Sequence, residues 1–293
     1  MTTALIIGAS GTIGTRLVRE LDANHDGLTV RLSSSQPGTV ERWRNEGRDA
    51  VVLDLNKQES FAEALAGVDR VFLLTGYTAE MLVQSKTLVD AAADAGVSHL
   101  VHLGVYSSGR DLVPHYVWHD MIETYIESSG IPWTHLHPNV ITDTVLVREP
   151  SIVETGSFTV NWGEAPRGWV AAVDIAAVAA VVLREGPDKH ANKNYWLSTE
   201  LLTGPQTASI LTETLGTPVA CTVSNPDGLA RYAASIPDAG MRLYLESAVQ
   251  TMRLAEAEDL KFELEVTDDI RKITGQPATT IAMWAKDNLP GQA

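Results

Sequence analysis

A four-residue apolar run, Ala4 to Ile7, breaks into three glycines at a spacing of three, Gly8, Gly11 and Gly14. The chain then resumes as a segment with Ile13, Leu17, Val18 and Leu21 on one helical side. Strand, tight turn and amphipathic helix in that order constrain the fold more than any other stretch. Gly8 admits a sharp turn, Gly11 keeps side-chain bulk away from a ligand, and Gly14 lets the helix pack closely on the strand. The segment Ser10, Gly11, Thr12, Ile13 and Gly14 then presents free N–H groups and the positive end of a helix dipole to a pyrophosphate. An ordinary glycine turn is the plainer alternative, but the position between a strand and a helix favours a dinucleotide site.

Strand and helix patterns alternate through the first half, which predicts an α/β fold of Rossmann type, a doubly wound parallel sheet with helices on both faces. Strands are expected at Ala4–Ile7, Leu28–Leu32, Ala50–Leu53, Arg70–Leu74, His99–Leu103 and Trp133–Leu136, and helices near Thr12–Leu21, Thr39–Glu46, Gln58–Leu65, Ala79–Ala95 and Tyr116–Ser128. Residues 1–150 read as the nucleotide domain and 151–293 as a smaller, mainly helical substrate lobe, with chain crossing between them. In that lobe Gly156–Val160 and Asn194–Ser198 read as strands, and Ile175–Leu183 as a buried helix capped by Asp174. Helices are further expected at Pro205–Leu215, Gly228–Ala234, Ala239–Ala257, Asp268–Thr274 and Thr279–Asp287.

A net charge of -15, from 37 acidic and 22 basic residues, argues against a nucleic-acid partner, because phosphate-backbone affinity needs a basic surface. The single cysteine, Cys221, excludes an intramolecular disulfide and reads as a small buried side chain. No leader precedes the first strand and the longest apolar run, Ile175–Leu183, is too short for a bilayer span. The expectation is a soluble cytoplasmic protein, monomeric or homodimeric, with no membrane partner.

The cofactor is expected at the carboxyl ends of the strands. No acid stands between Asp26 and Glu41 to hold ribose hydroxyls. Arg31 and the serines Ser33 to Ser35 instead suit a 2′-phosphate, so NADP(H) is favoured. Arg31 as a solvated strand-end residue is the alternative. Asp54 and Leu55 follow the third strand, with Asp54 placed to accept from an adenine amino group. Thr75, Gly76 and Tyr77 follow the fourth strand and Gly104 the fifth.

None of the tyrosines is followed four residues on by a lysine, so the usual phenol acid of carbonyl reduction is missing. The segments Gly8–Gly14, Val30–Arg31, Ala91–Leu100, Ser129–Thr134, Val173–Ala176 and Ile273–Pro277 run almost end to end. Through them the chain resembles the NmrA-like family of atypical short-chain dehydrogenases/reductases, and within it the triphenylmethane and quinone reductase branch. The resemblance implies that Pro138, Asn139 and Val140 belong to a nicotinamide pocket. It also implies that His119, where many relatives carry lysine, contacts the nicotinamide ribose or helps position substrate.

His115, His119 and Glu123 share one helical face. His119 is the candidate catalytic residue, a proton donor suited to neutral pH and oriented by Glu123; a structural pair is the alternative. A zinc site on these histidines lacks a further ligand, so no metal is expected. His135 and His137 alternate along a strand and read as structural. Tyr77, Tyr106, Tyr116, Trp118 and Trp162, with Trp169, fall in loops or element ends and would form a flat apolar pocket for an aromatic substrate, unless Trp162 and Trp169 simply cover the core. Two functions stay open: an NADPH-dependent reductase of a conjugated electrophile (a quinone, cationic dye, imine or enone), and a non-catalytic NADP sensor of the NmrA type.

Overall fold

Short apolar strands joined by amphipathic helices build the first half of the chain in the alternating order that the sequence predicts. The structure, a computed structural model, describes residues 2–147 and 152–289. Its first elements are β1 (Thr2–Ile6), α1 (Thr12–Ala23), β2 (Leu28–Ser34), α2 (Pro37–Asn45), β3 (Asp49–Val52) and α3 (Phe61–Leu65). They are followed by β4 (Arg70–Leu73), α4 (Met81–Asp94), β5 (His99–Leu103), α5 (Pro114–Ser128) and β6 (Trp133–Pro138). Next come β7 (Val140–Ile141), α6 (Thr142–Leu146), α7 (Ile152–Thr155), β8 (Ser157–Val160), β9 (Arg167–Val170), α8 (Ala172–Glu185), α9 (Pro187–His190) and β10 (Lys193–Leu197). The chain ends with β11 (Glu200–Leu202), α10 (Gly204–Leu215), β12 (Ala220–Val223), α11 (Asp227–Ser235), α12 (Ala239–Glu256), α13 (Asp269–Thr274) and α14 (Ile281–Asn288).

The chain forms two compact units, each built from several chain segments, and the boundary expected between residues 150 and 151 lies outside the described residues. The first unit takes Met1–Val105, Val117–His137 and Ile175–Tyr195; the second takes Tyr106–Tyr116, Pro138–Asp174 and Trp196–Ala293. A seven-stranded sheet of order β10-β6-β5-β4-β1-β2-β3 belongs to the first unit. The pairs from β3 through β6 are parallel. The order reverses between β1 and β4, and this switch point is where an open α/β sheet binds ligands. One core of this unit gathers Leu5, Ile7, Val71, Leu73, Leu88, Leu100, Ile122 and Ile126, all buried.

The second unit carries more strand than expected, in a sheet of order β11-β9-β7 and a parallel pair β12-β8. These strands are two to four residues long, too short for an alternating pattern to be read. Its core packs Trp162, Trp169, Leu211 and Trp284. The expected buried helix is present as α8, with Ile175, Val178, Val182 and Leu183 fully buried. Asp174, however, does not cap it. The helix begins earlier, at Ala172, whose N–H donates to Asp143 Oδ2 at 2.9 Å, whereas Asp174 accepts from the Thr279 N–H and hydroxyl, both at 2.7 Å. Among the described residues no helix is long and apolar enough to cross a membrane.

Candidate functional site

The glycine turn after β1 has the geometry of a phosphate cradle. Gly8 sits at φ +73°, where a Cβ would also meet Leu74 at 3.2 Å. At Gly14 a Cβ would lie 2.0 Å from the Gly8 carbonyl oxygen, so only glycine allows α1 this close to the turn. Gly11 differs: it is exposed, extended at φ -82° and ψ 178°, and its Cβ would have 3.3 Å to its nearest neighbour. As the N-cap of α1 it offers no side-chain hydrogen bond. The first-turn amides at Thr12, Ile13 and Gly14 therefore keep no side-chain cap, beside the exposed Ser10 and Thr12. Ile13 turns its side chain into the core.

The loops at neighbouring carboxyl ends supply the rest of the first unit's candidate residues. Thr75, after β4, is buried with its hydroxyl lacking a hydrogen-bond partner, while Gly76 beside it is exposed. Asp54, after β3, accepts from the Asn56 amide at 3.0 Å and pairs with Lys57 at 3.3 Å; Leu55 packs on the core.

Arg31 is not at the expected place. β2 continues to Ser34, two residues beyond the expected end, which leaves Arg31 in mid-strand beside Asp49 at the start of β3. Its Nε donates to Asp49 Oδ2 at 3.0 Å and its Nη1 to the Ala66 and Ala64 carbonyls at 2.8 and 3.3 Å, so the guanidinium caps the end of α3. The hydroxyl-bearing end of β2, Ser34 and Ser35, leads into the start of α2, where Gln36 supplies no side-chain cap. Ser33 is buried and donates to the Ile6 carbonyl. Arg31→Ala should therefore weaken NADPH and NADH binding equally or not at all and lower stability by about 1 kcal/mol, the range of a partly exposed ion pair with its hydrogen bonds. Paired fluorescence titrations and a melting curve test this; a selective loss of NADPH affinity would restore the phosphate role.

Two of the expected site residues meet in the first unit. His119, buried on α5, has Nε2 3.2 Å from the Tyr77 hydroxyl, with the rings edge to face at 5.7 Å. Tyr77 and Trp118 are both half-buried against the core. Glu123 is ranged against other partners than the one expected. Its Oε1 lies 3.7 Å from His102 Nδ1 and 3.7 Å from His137 Nδ1, in space that a Cβ on Gly104 would fill at 2.4 Å. Burial, with the nearby charges of Asp120 and Glu127, raises its carboxyl pKa to about 8. Gly104 thus serves as the cradle of Glu123. His137 donates from Nδ1 to the Val105 carbonyl at 3.0 Å. The cluster of His102 with His135 escaped the sequence reading, although β5 and β6 each carry two histidines, because only the register His102↔His135 places them side by side.

The remaining expected residues belong to the second unit, and most are structural there. Tyr106 is fully buried against Trp196 and Phe262, and burial together with nearby acids raises its hydroxyl pKa to about 12. Tyr116 donates to Glu263 at 2.6 Å, and Glu263 also pairs with the buried Arg167. Asn139 donates to the Glu263 carbonyl at 2.8 Å and accepts from the Val140 N–H at 2.9 Å, and it occupies the space that a side chain at residue 168 would need. Pro138 accepts from the Tyr106 amide. Tyr106, Tyr116 and Asn139 thus each spend their polar groups or ring faces on packing within this unit. Trp169 donates to the Leu202 carbonyl within the core. Trp162 and Val140 do line a cavity of ≈ 160 Å³, with His115, Arg167 and Met252.

His115 has its Nδ1 2.7 Å from the Ser247 hydroxyl. Burial lowers its pKa to about 4, and burial with the Arg70 charge lowers that of His99 to about 3. Both are depressed below the unfolded value of about 6.5. The unfolded chain therefore binds protons first, and stability is lost as pH falls from about 6.5 towards 4. The melting temperature should decline over that window, with a shallower slope in His115→Gln; an unchanged slope would place the titrating group elsewhere.

Comparison with known proteins agrees with this architecture. The NmrA-like family matches residues 1–281. An NAD(P)H azoreductase of Xenophilus azovorans is 28% identical over 284 residues, 96% of each chain. A (4-alkanoyl-5-oxo-2,5-dihydrofuran-3-yl)methyl phosphate reductase of Streptomyces griseus is 27% identical over 292 residues, 97% of each chain. The crystal structure of Citrobacter sp. triphenylmethane reductase complexed with NADP(H) superposes with a TM-score of 0.81 at 24% identity, covering 98% of this chain and 100% of that one. With its family match running from the glycine turn into α14, the chain belongs to the NmrA-like family.

Proposed function

We propose that the chain is an NADPH-dependent reductase that transfers hydride to a conjugated, electrophilic small molecule such as a quinone, a cationic dye, an imine or an enone. The observation that carries this reading is the Gly8–Gly14 turn, whose close packing and uncapped amides fit a dinucleotide pyrophosphate. The two relatives named above are reductases, and their names specify an azo group and an unsaturated lactone as what they reduce. Both are conjugated electrophiles, which favours that substrate class here.

NADPH, when bound, supplies the hydride. The amides at the start of α1 would hold the pyrophosphate, the Ser34 and Ser35 hydroxyls with the start of α2 would receive the 2′-phosphate, and Asp54 would meet the adenine edge. Without a guanidinium at the end of β2, discrimination between NADPH and NADH is modest, within about ten-fold, because only hydroxyl and amide contacts read the phosphate. A carbonyl-type acceptor such as a quinone leaves an oxyanion after hydride transfer, and the Tyr77–His119 pair supplies its proton. A cationic dye needs no proton, and orientation against the nicotinamide provides the catalysis.

The test is an NADPH-oxidation screen over quinones, cationic dyes, azo dyes, imines and enones. Turnover on one of these classes is expected. NADPH binding without oxidation on any of them would favour the sensor.

A further inference from the structure

We propose that His102, Glu123 and His135 bind one divalent transition-metal ion of the zinc class, which fastens α5 to β5 and β6 within the first unit. One potential ligand atom from each residue lies within 4.8 Å of the others. The two imidazoles stand side by side in the β5–β6 register, ring centroids 5.4 Å apart, and both are fully buried.

Neither ring is satisfied by protein. Both nitrogens of His102 and both nitrogens of His135 lack a hydrogen-bond partner. A neutral imidazole carries one donor and one acceptor, and buried polar atoms are nearly always paired. A single ion would take the lone-pair nitrogen of each ring and so answer two of these four atoms at once.

The Glu123–His102 spacing is nearer to that of two ligands on one ion than to that of two groups bridged by a water. Glu123 Oε1 lies 3.7 Å from His102 Nδ1, beyond hydrogen-bond range. Two ligands on a tetrahedral ion with bonds of about 2.1 Å stand about 3.4 Å apart. Two groups bridged by one water at about 2.8 Å each stand about 4.6 Å apart. The observed gap is much nearer to the first.

The surroundings support the assignment. Gly104 leaves the space in which the Glu123 carboxylate is seated. His137 spends its Nδ1 proton on the Val105 carbonyl and so orients rather than ligates. Glu127, one turn further along α5 and half-exposed, brings a second carboxylate oxygen 3.7 Å from His135 Nε2. It offsets the charge left when one carboxylate and two neutral rings hold a divalent ion, and it marks a path from solvent. Imidazole with a single carboxylate suits zinc, cobalt or nickel better than magnesium or calcium.

The experiment uses the full chain, free of any tag, stripped with chelator and titrated with Co²⁺ and then Zn²⁺. One equivalent of Co²⁺ should bind with the visible absorption of a low-coordinate site, zinc should bleach it, and the melting temperature should rise by roughly 5 °C at saturation. Glu123→Gln and His135→Gln should each weaken uptake by at least about ten-fold, whereas His25→Gln, an exposed control, should not. Should either variant fail to fold, the stoichiometry and spectrum of the unaltered chain decide. Uptake well below one equivalent without a thermal shift would overturn the proposal, and so would binding that persists unchanged in folded Glu123→Gln and His135→Gln.

Discussion

Gly11→Val should fold normally and lose NADPH affinity by roughly a hundred-fold or more, about 2.7 kcal/mol or above. Residue 11 is exposed and extended, a conformation that a β-branched side chain adopts without strain. The added atoms would occupy the approach to the uncapped start of α1. Gly14→Ala provides the contrast. Its Cβ would fall 2.0 Å from the Gly8 carbonyl oxygen, so α1 must shift, at a cost of about 3 kcal/mol in stability. Melting curves and fluorescence titrations separate the two: binding lost with stability kept at residue 11, and stability lost at residue 14. A folded Gly11→Val that binds NADPH as tightly as the parent would remove the turn from the site, and with it the proposed cofactor reading.

His119→Ala should lower turnover on a quinone by roughly ten- to a hundred-fold, the lower range of acid–base contributions, and leave turnover on a cationic dye nearly unchanged. The split arises because only the quinone needs a proton after hydride transfer. Tyr77→Phe should reproduce it, since the Tyr77 hydroxyl is the hydrogen-bond partner at 3.2 Å from His119 Nε2. A purely structural His119 would give another pattern: a loss of about 1 kcal/mol in stability and unchanged turnover on both acceptors. Steady-state rates on one acceptor of each kind, taken with melting temperatures, distinguish these outcomes.

Much of the fold was legible in the sequence because local patterns carry it. Ala4–Ile7 followed by Gly8, Gly11 and Gly14 specifies strand, turn and helix within fifteen residues, and the alternation that follows specifies a parallel sheet. The apolar stretch of α8 announced its own burial. These features depend on neighbours in the chain, so the one-dimensional pattern contains them.

The site was legible only in part, and the reason is distance along the chain. Arg31 was expected to read a phosphate; a strand two residues longer than its pattern implied, and the carboxylate of Asp49 in the next strand, turned it into a cap for α3. Tyr106, Tyr116 and Asn139 looked available because they flank elements, yet Phe262 and Glu263 meet them from more than a hundred residues away. Glu123 was assigned to His119 by helical spacing, and the tertiary structure sets it among His102, His137 and the space left by Gly104. The sequence by itself determined the nucleotide turn, the order of strands and helices and the family. Which side chains face one another was decided only by the packing of β5, β6 and α5, because hydrogen bonds, ion pairs and desolvation act through space between residues whose separation in sequence carries no local signal.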